Sequence, residues 1–197
     1  MRALPLLLVV VAAAPAYADS FVGATGGVMI PLGDSNSGKT GWSDLVSSSP
    51  KVGVRFGGVG ASSLGGMLSA DWTPANYNYE SQLLDVSANR FRILGHVLFE
   101  KRVAPKLTIA ARMGGGIDIA HASATSPLGT ASDTDVGWAF ELGGGVWFNL
   151  GSVDIGGEIA LPFGGHSHKD DLTNPRDIPF DYTSYDIDLL FGVRLRS

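Results

Sequence analysis

The sequence predicts an all-β fold, an eight-stranded antiparallel up-and-down transmembrane β-barrel with four long extracellular loops and three short periplasmic turns. Three observations carry that reading. Apolar residues take every second position over stretches of about ten residues, the period of a strand and the length a tilted strand needs to cross a bilayer. The stretches are joined by connections that alternate between short and long. After the first eighteen residues no uninterrupted apolar run approaches the ~20 residues of a spanning helix.

Residues 1–18 read as a signal peptide and 19–197 as one barrel domain. Arg2 gives a positive start, Leu4 to Ala14 an apolar run too short to span, and Ala16-Tyr17-Ala18 an A-x-A cleavage signal. No Cys follows the cleavage point, which excludes a lipid anchor there and any reliance on disulfides after export. Without Arg2, thirteen Lys+Arg stand against nineteen Asp+Glu, a formal charge of −6 that argues against a nucleic-acid partner.

The strands follow in order. The first, residues 20–32, sets Val22, Ala24, Gly26, Val28 and Ile30 on one face. The second, 51–58, sets Val52, Val54 and Phe56 against Lys51 and Arg55. The third, 64–72, sets Gly66, Leu68, Ala70 and Trp72 against Met67, Ser69 and Asp71. The fourth, 89–99, opposes Phe91, Ile93, Gly95, Val97 and Phe99 to Arg90, Arg92, Leu94, His96 and Leu98. The fifth, 107–119, opposes Leu107, Ile109, Ala111, Met113, Ile117 and Ile119 to Thr108, Arg112 and Asp118. The sixth and seventh form the clearest hairpin. Val136, Trp138, Phe140, Leu142, Gly144, Val146 and Phe148 alternate with residues that include Glu141 and Trp147. After the turn, Val153, Ile155, Gly157, Ile159, Leu161 and Phe163 alternate with Asp154, Gly156, Glu158 and Ala160. The eighth, 182–195, sets Tyr185, Ile187, Leu189, Phe191, Val193 and Leu195 against Ser184, Asp186, Asp188, Gly192 and Arg194.

Residues 59–63, 100–106 and 149–152 are the short turns; 33–50, 73–88, 120–135 and 164–181 are the long, polar loops. If the loop over 120–135 closes symmetrically, the runs Gly114–Gly116 and Gly143–Gly145 face each other.

Alternation alone leaves open which face is outside. A soluble barrel of the lipocalin kind buries the apolar face. The aromatic residues decide for lipid: Trp72, Phe91, Trp138, Phe163 and Tyr185 fall near the loop ends, and Phe56, Phe99, Phe148 and Phe191 near the turn ends. Phe91 to Phe99 spans roughly 26 Å along a strand and about 20 Å once tilted, close to an apolar band between two aromatic girdles. The other face then lines a narrow lumen holding Arg55, Arg92, Arg112 and Arg194 with Asp118, Glu141, Asp154, Glu158, Asp186 and Asp188; Arg90 and Asp71 share that face. Both signs occur, so paired networks offset desolvation, with Arg92 and Arg112 expected within reach of Asp118, Glu141 or Glu158.

The leader, eight strands, four long loops and charged interior resemble the small outer-membrane barrels of the OmpX kind and the OmpA transmembrane domain. The resemblance covers residues 19–197 and implies a monomer among outer-membrane lipids and lipopolysaccharide, delivered by the barrel assembly machinery. Two departures stand out. OmpA members carry a peptidoglycan-binding domain after the barrel, whereas here the sequence stops at Ser197. Such barrels also commonly end in an aromatic assembly signal, whereas Phe191 is followed by Gly-Val-Arg-Leu-Arg-Ser.

Three motifs bear on chemistry. Gly33 to Thr40 fits the P-loop expression, but Gly41-Trp42-Ser43 makes a poor start for the helix that would receive phosphates, so a polar loop is expected. His166, His168, Asp170 and Asp171 have donor types that suit a divalent cation, with no further ligand fixed, and a solvated loop is the expected reading. His121, Ser123 and Ser126 sit near the rim where barrel lipid A-modifying enzymes place Ser and His, without a nucleophile–base–acid order. His96 reads as a hydrogen-bonded lumen residue. The expected function is non-catalytic and needs no cofactor: a scaffold for surface loops in envelope structure or surface interaction, with a narrow or gated pore and a lipid A-modifying enzyme as alternatives. N-terminal sequencing of the exported protein is expected to read Asp19-Ser20-Phe21; a retained leader would remove the export reading.

Overall fold

Strands that are apolar on one side and ionic on the other leave two open edges when laid flat, and closing the sheet on itself removes both. The computed structural model describes residues 19–32, 47–76, 85–126, 129–167 and 181–197. Its eight strands form one closed barrel in which each pairs antiparallel with its sequence neighbours and the last returns to the first. They are β1 (Asp19–Leu32), β2 (Ser49–Val59), β3 (Leu64–Asn76), β4 (Asp85–Ala104), β5 (Leu107–Ser126), β6 (Gly129–Asn149), β7 (Val153–Ser167) and β8 (Asp181–Arg196). The turns over 60–63, 105–106 and 150–152 lie at one end with Asp19 and Arg196, here called the turn end; the opposite end is the loop end.

Burial follows the alternation. On β4, Arg90, Arg92, Leu94, His96, Leu98 and Glu100 are buried while Phe91, Val97 and Phe99 are exposed. A soluble barrel would bury Val54, Phe56, Phe91, Trp138 and Phe191, yet these are 45–61% exposed. The lipocalin-like arrangement is thereby overturned: the apolar face is the outer one.

The strands run further toward the loop end than the apolar pattern does. The expected long loop over 120–135 is a continuation of sheet, because β5 and β6 stay paired to Ser126↔Gly129 and leave 127–128 as the connection. Outward residues change there from Ile119 and Val136 to His121, Thr134, Ser123 and Ser132. The apolar signal stops, but the backbone ladder does not need it. Likewise β3 and β4 shorten the second connection to 77–84, and β7 extends through His166.

The hairpin closes symmetrically, with Ala120 opposite Asp135, and in that register the expected pairing of the glycine runs fails. The two glycine runs do not face each other: Gly143 pairs with Arg112 and Gly114 with Glu141. Small residues meet large ones, and a Cβ on Gly143 would lie 3.2 Å from the Arg112 guanidinium carbon.

Backbones approach closely at Gly27, where a Cβ would stand 1.9 Å from the Leu189 carbonyl oxygen, whereas one on Gly26 would meet nothing within 4 Å. Gly27→Ala is expected to destabilise the barrel by about 2 kcal/mol, and Gly26→Ala to stay within ~0.5 kcal/mol. Urea titration followed by heat-modifiable gel migration measures both.

Candidate functional site: a charged lumen and its apolar wall

Inward positions bring oppositely charged side chains together in a dry interior, where an unpaired charge suffers several kcal/mol of desolvation. Toward the loop end, Asp118 is shared by Arg90 and by Arg92 Nε at 3.2 Å. Asp186 accepts from Arg92 Nη2 at 2.8 Å and Arg90 Nη1 at 3.4 Å, and Arg90 Nη2 donates to Ser184 Oγ at 2.9 Å. Lys51 Nζ stands 2.5 Å from Asp188 and 3.8 Å from Asp71, which accepts from Arg55 Nη1 at 2.6 Å. Arg112 forks between two strands, with Nε 2.9 Å from Glu141 and Nη1 2.6 Å from Glu158. Such charge-assisted contacts suit the planar, multi-donor guanidinium.

At the turn end Arg194 binds Glu100 and, at 3.0 Å, Asp154. Arg196 reaches Asp154 at 2.5 Å, Glu100 at 2.6 Å and Asp19 at 2.6 Å. The Arg194 guanidinium lies over the Trp147 ring at 3.8 Å and the Phe21 ring at 4.7 Å. Phe21 packs with Val59, Met67, Leu98 and Ala110 into an apolar floor.

Glu100 and Arg196 fall outside the strand limits expected from the sequence, although each continues the parity of its strand's inward face. Lys51, Arg90 and Asp71 also join the network. The inward large apolar residues carry no signal beyond parity.

The histidines take three different places. His96 Nε2 is 2.9 Å from Ser69 Oγ in the lumen. His166 is not in a solvated loop: it is a buried residue of β7, with Nδ1 2.9 Å from Asp135 and Nε2 3.6 Å from Asp118. His121 faces outward, with Nδ1 2.7 Å from Thr134 Oγ1, and Ser123 Oγ is 3.1 Å from Ser87 Oγ. Residues 1–18, Gly33 to Thr40, His168, Asp170 and Asp171 lie outside the described residues, as does the Ser126 side chain. Among the described residues no group of three or more His, Cys, Asp or Glu is placed to hold a metal.

On the outer wall, Trp72, Phe91, Trp138, Phe163 and Tyr185 stand toward the loop end, where Trp72 pairs with Phe91 and Phe163 meets Tyr185 edge to face at 5.6 Å. Phe56, Phe99, Phe148 and Phe191 stand toward the turn end, exposed. On β5 the outward apolar run from Leu107 to Ile119 corresponds to about 30 Å along the axis at a tilt of ~40°. His121 follows it on one side, and Lys101 on β4 marks the other.

No protein-family model matches the chain, and no curated protein sequence matches it. Solved structures do. The chain is similar to Ail, the attachment invasion locus protein of Yersinia pestis, with TM-score 0.55 at 15% identity over 91% of this chain and 97% of that one. It is similar to Neisserial surface protein A at 0.51 and 12% identity, over 89% and 96% of the two chains. A major outer membrane protein from Thermus thermophilus gives 0.60 and 12% identity over 92% and 100%. The fold is that of small outer-membrane barrels.

Asp118→Ala removes one of the two carboxylates shared by Arg90 and Arg92 and is expected to cost about 3 kcal/mol. Exchanging Arg112, Glu141 and Glu158 together for Met, Leu and Leu is expected to cost ~1 kcal/mol or less, because the burden of burying those charges goes with them. Urea midpoints of the two variants separate the cases.

Proposed function

We propose that the chain is an exported, non-catalytic outer-membrane barrel whose rigid cylinder carries loop-end segments for envelope structure or surface interaction. Cleavage after Ala18, delivery by the barrel assembly machinery, and life as a monomer among outer-membrane lipids and lipopolysaccharide belong to this reading. The observation that carries it is the inside-out distribution: exposed apolar residues between two sets of rings, around an axis filled with ion pairs. Water would hydrate that wall poorly, whereas hydrocarbon solvates it.

The packing also argues against a conducting pore. Arg90, Arg92, Asp118 and Asp186 fill the lumen toward one end, and Arg194 between Phe21 and Trp147 fills it toward the other. A cavity bordered by Phe21, Arg55, Met67, Leu98, Arg112 and Arg194 has room for about one water molecule. At the outer rim, His121 and Ser123 are each engaged with another hydroxyl residue and form no nucleophile–base pair with one another. The shared fold includes an attachment invasion locus protein and a surface protein, roles named for those chains and in keeping with the one proposed here.

Purified protein in planar bilayers is expected to give no resolved conductance steps, and overexpression to leave the lipid A mass spectrum unchanged. Discrete steps would favour the pore; a mass shift of one acyl group would favour the enzyme.

A further inference from the structure

At the turn end, the well-exposed cations of the described residues gather on one hairpin. Lys101, Arg102 and Lys106 of the β4–β5 turn are all exposed. The remaining ionic groups of that end are buried or engaged: Glu100 and Asp154 hold Arg194 and Arg196, and Arg196 holds Asp19. The turns over 60–63 and 150–152 carry no charge. In a chain of formal charge −5, this rim is a local reversal of sign.

Lys101 continues the apolar wall, and Arg102 and Lys106 flank the turn just beyond it. Lys101 follows Phe99 on the outward face of β4 and pairs across the hairpin with Ile109, which places the base of its long aliphatic stem beside apolar surface. Lys106 immediately precedes the outward Leu107. Between them, the register shifts between Arg102 and Ala104, leaving Val103 49% exposed. Cations just past the aromatic edge of an apolar band sit at the depth of lipid headgroups.

We infer that the β4–β5 turn binds anionic phospholipid, with Lys101, Arg102 and Lys106 engaging the headgroup phosphates and Val103 and Leu107 meeting the start of the acyl chains. The inference rests on the membrane placement proposed above. An acidic segment of a soluble protein would match the charge but not the continuity with the wall. Each basic residue near an anionic surface contributes about fivefold to partitioning.

The test uses the full mature chain refolded into vesicles of phosphatidylcholine alone or of equimolar phosphatidylcholine and phosphatidylglycerol. Heat-modifiable gel migration reports insertion, and native mass spectrometry counts the lipids retained. The natural chain is expected to keep phosphatidylglycerol several-fold over phosphatidylcholine, with the preference falling as salt rises. Lys101→Gln/Arg102→Gln/Lys106→Gln is expected to insert equally well and lose the preference, and Lys101→Arg/Lys106→Arg to keep it. Equal retention of both lipids by the natural chain overturns the inference, as does a preference that survives the triple glutamine change. Capture of soluble polyglutamate by an inserted chain with no phosphatidylglycerol preference overturns it in favour of an acidic protein partner. A chain that fails to insert in either vesicle loses the membrane reading and this inference together, whereas one that inserts without lipid preference loses only the latter.

Discussion

Every charge facing the axis has to be neutralised by a neighbour, because the wall around it is one sheet thick and apolar on its other side. That requirement explains why guanidinium dominates the interior. Arg92 and Arg194 each satisfy two carboxylates, Arg112 two more, and carboxylates such as Asp118 and Asp186 are shared in return. An ammonium offers no planar fork, and Lys51 accordingly makes one close contact and one long one. The same requirement fixes register. A slip by one residue would turn the ionic set toward the outside and the rings toward the axis.

Room for these long side chains comes from glycine placed opposite them. Arg112 faces Gly143, and Glu141 faces Gly114. Trp147, fully buried, lies against Gly156 and Gly192, where added Cβ atoms would come within 2.8 and 3.0 Å of its ring. The glycine content of this chain is therefore a packing property: it converts a narrow cylinder into a filled one, with the apolar floor of Phe21, Val59, Met67 and Leu98 completing it.

The eight strands and the two faces of each are legible in the sequence because period-two alternation survives wherever the outer residues are apolar. It fails past Ile119 and Val136, where His121, Ser123, Ser132 and Thr134 keep the ladder but drop the hydrophobic mark. His166 was hidden for the same reason, since its parity places it in the lumen while its polar neighbours resemble a loop. Glu100 and Arg196 lay one step past the apparent strand ends. Partner choice was less accessible still. That Arg92 meets Asp186, and Arg194 meets Glu100, depends on which inward side chains cross the lumen between β4 and β8, separated by 94 residues in each case. No local pattern encodes that distance. The chemistry-bearing motifs fare differently: the P-loop expression and His168, Asp170 and Asp171 lie outside the described residues, and His121 is tied to Thr134.

The seam between β1 and β8 has a consequence for assembly. Twelve register pairs join them, from Phe21↔Arg196 to Leu32↔Tyr185, and Asp19 meets Arg196 across 177 residues of chain. No shorter portion of the polypeptide can complete the ring. Until the eighth strand arrives, β1 and β7 each present a row of unsatisfied amide groups to any passing extended chain. Two templating margins are therefore open at once before closure, and the closing event is the most entropically remote pairing the topology contains.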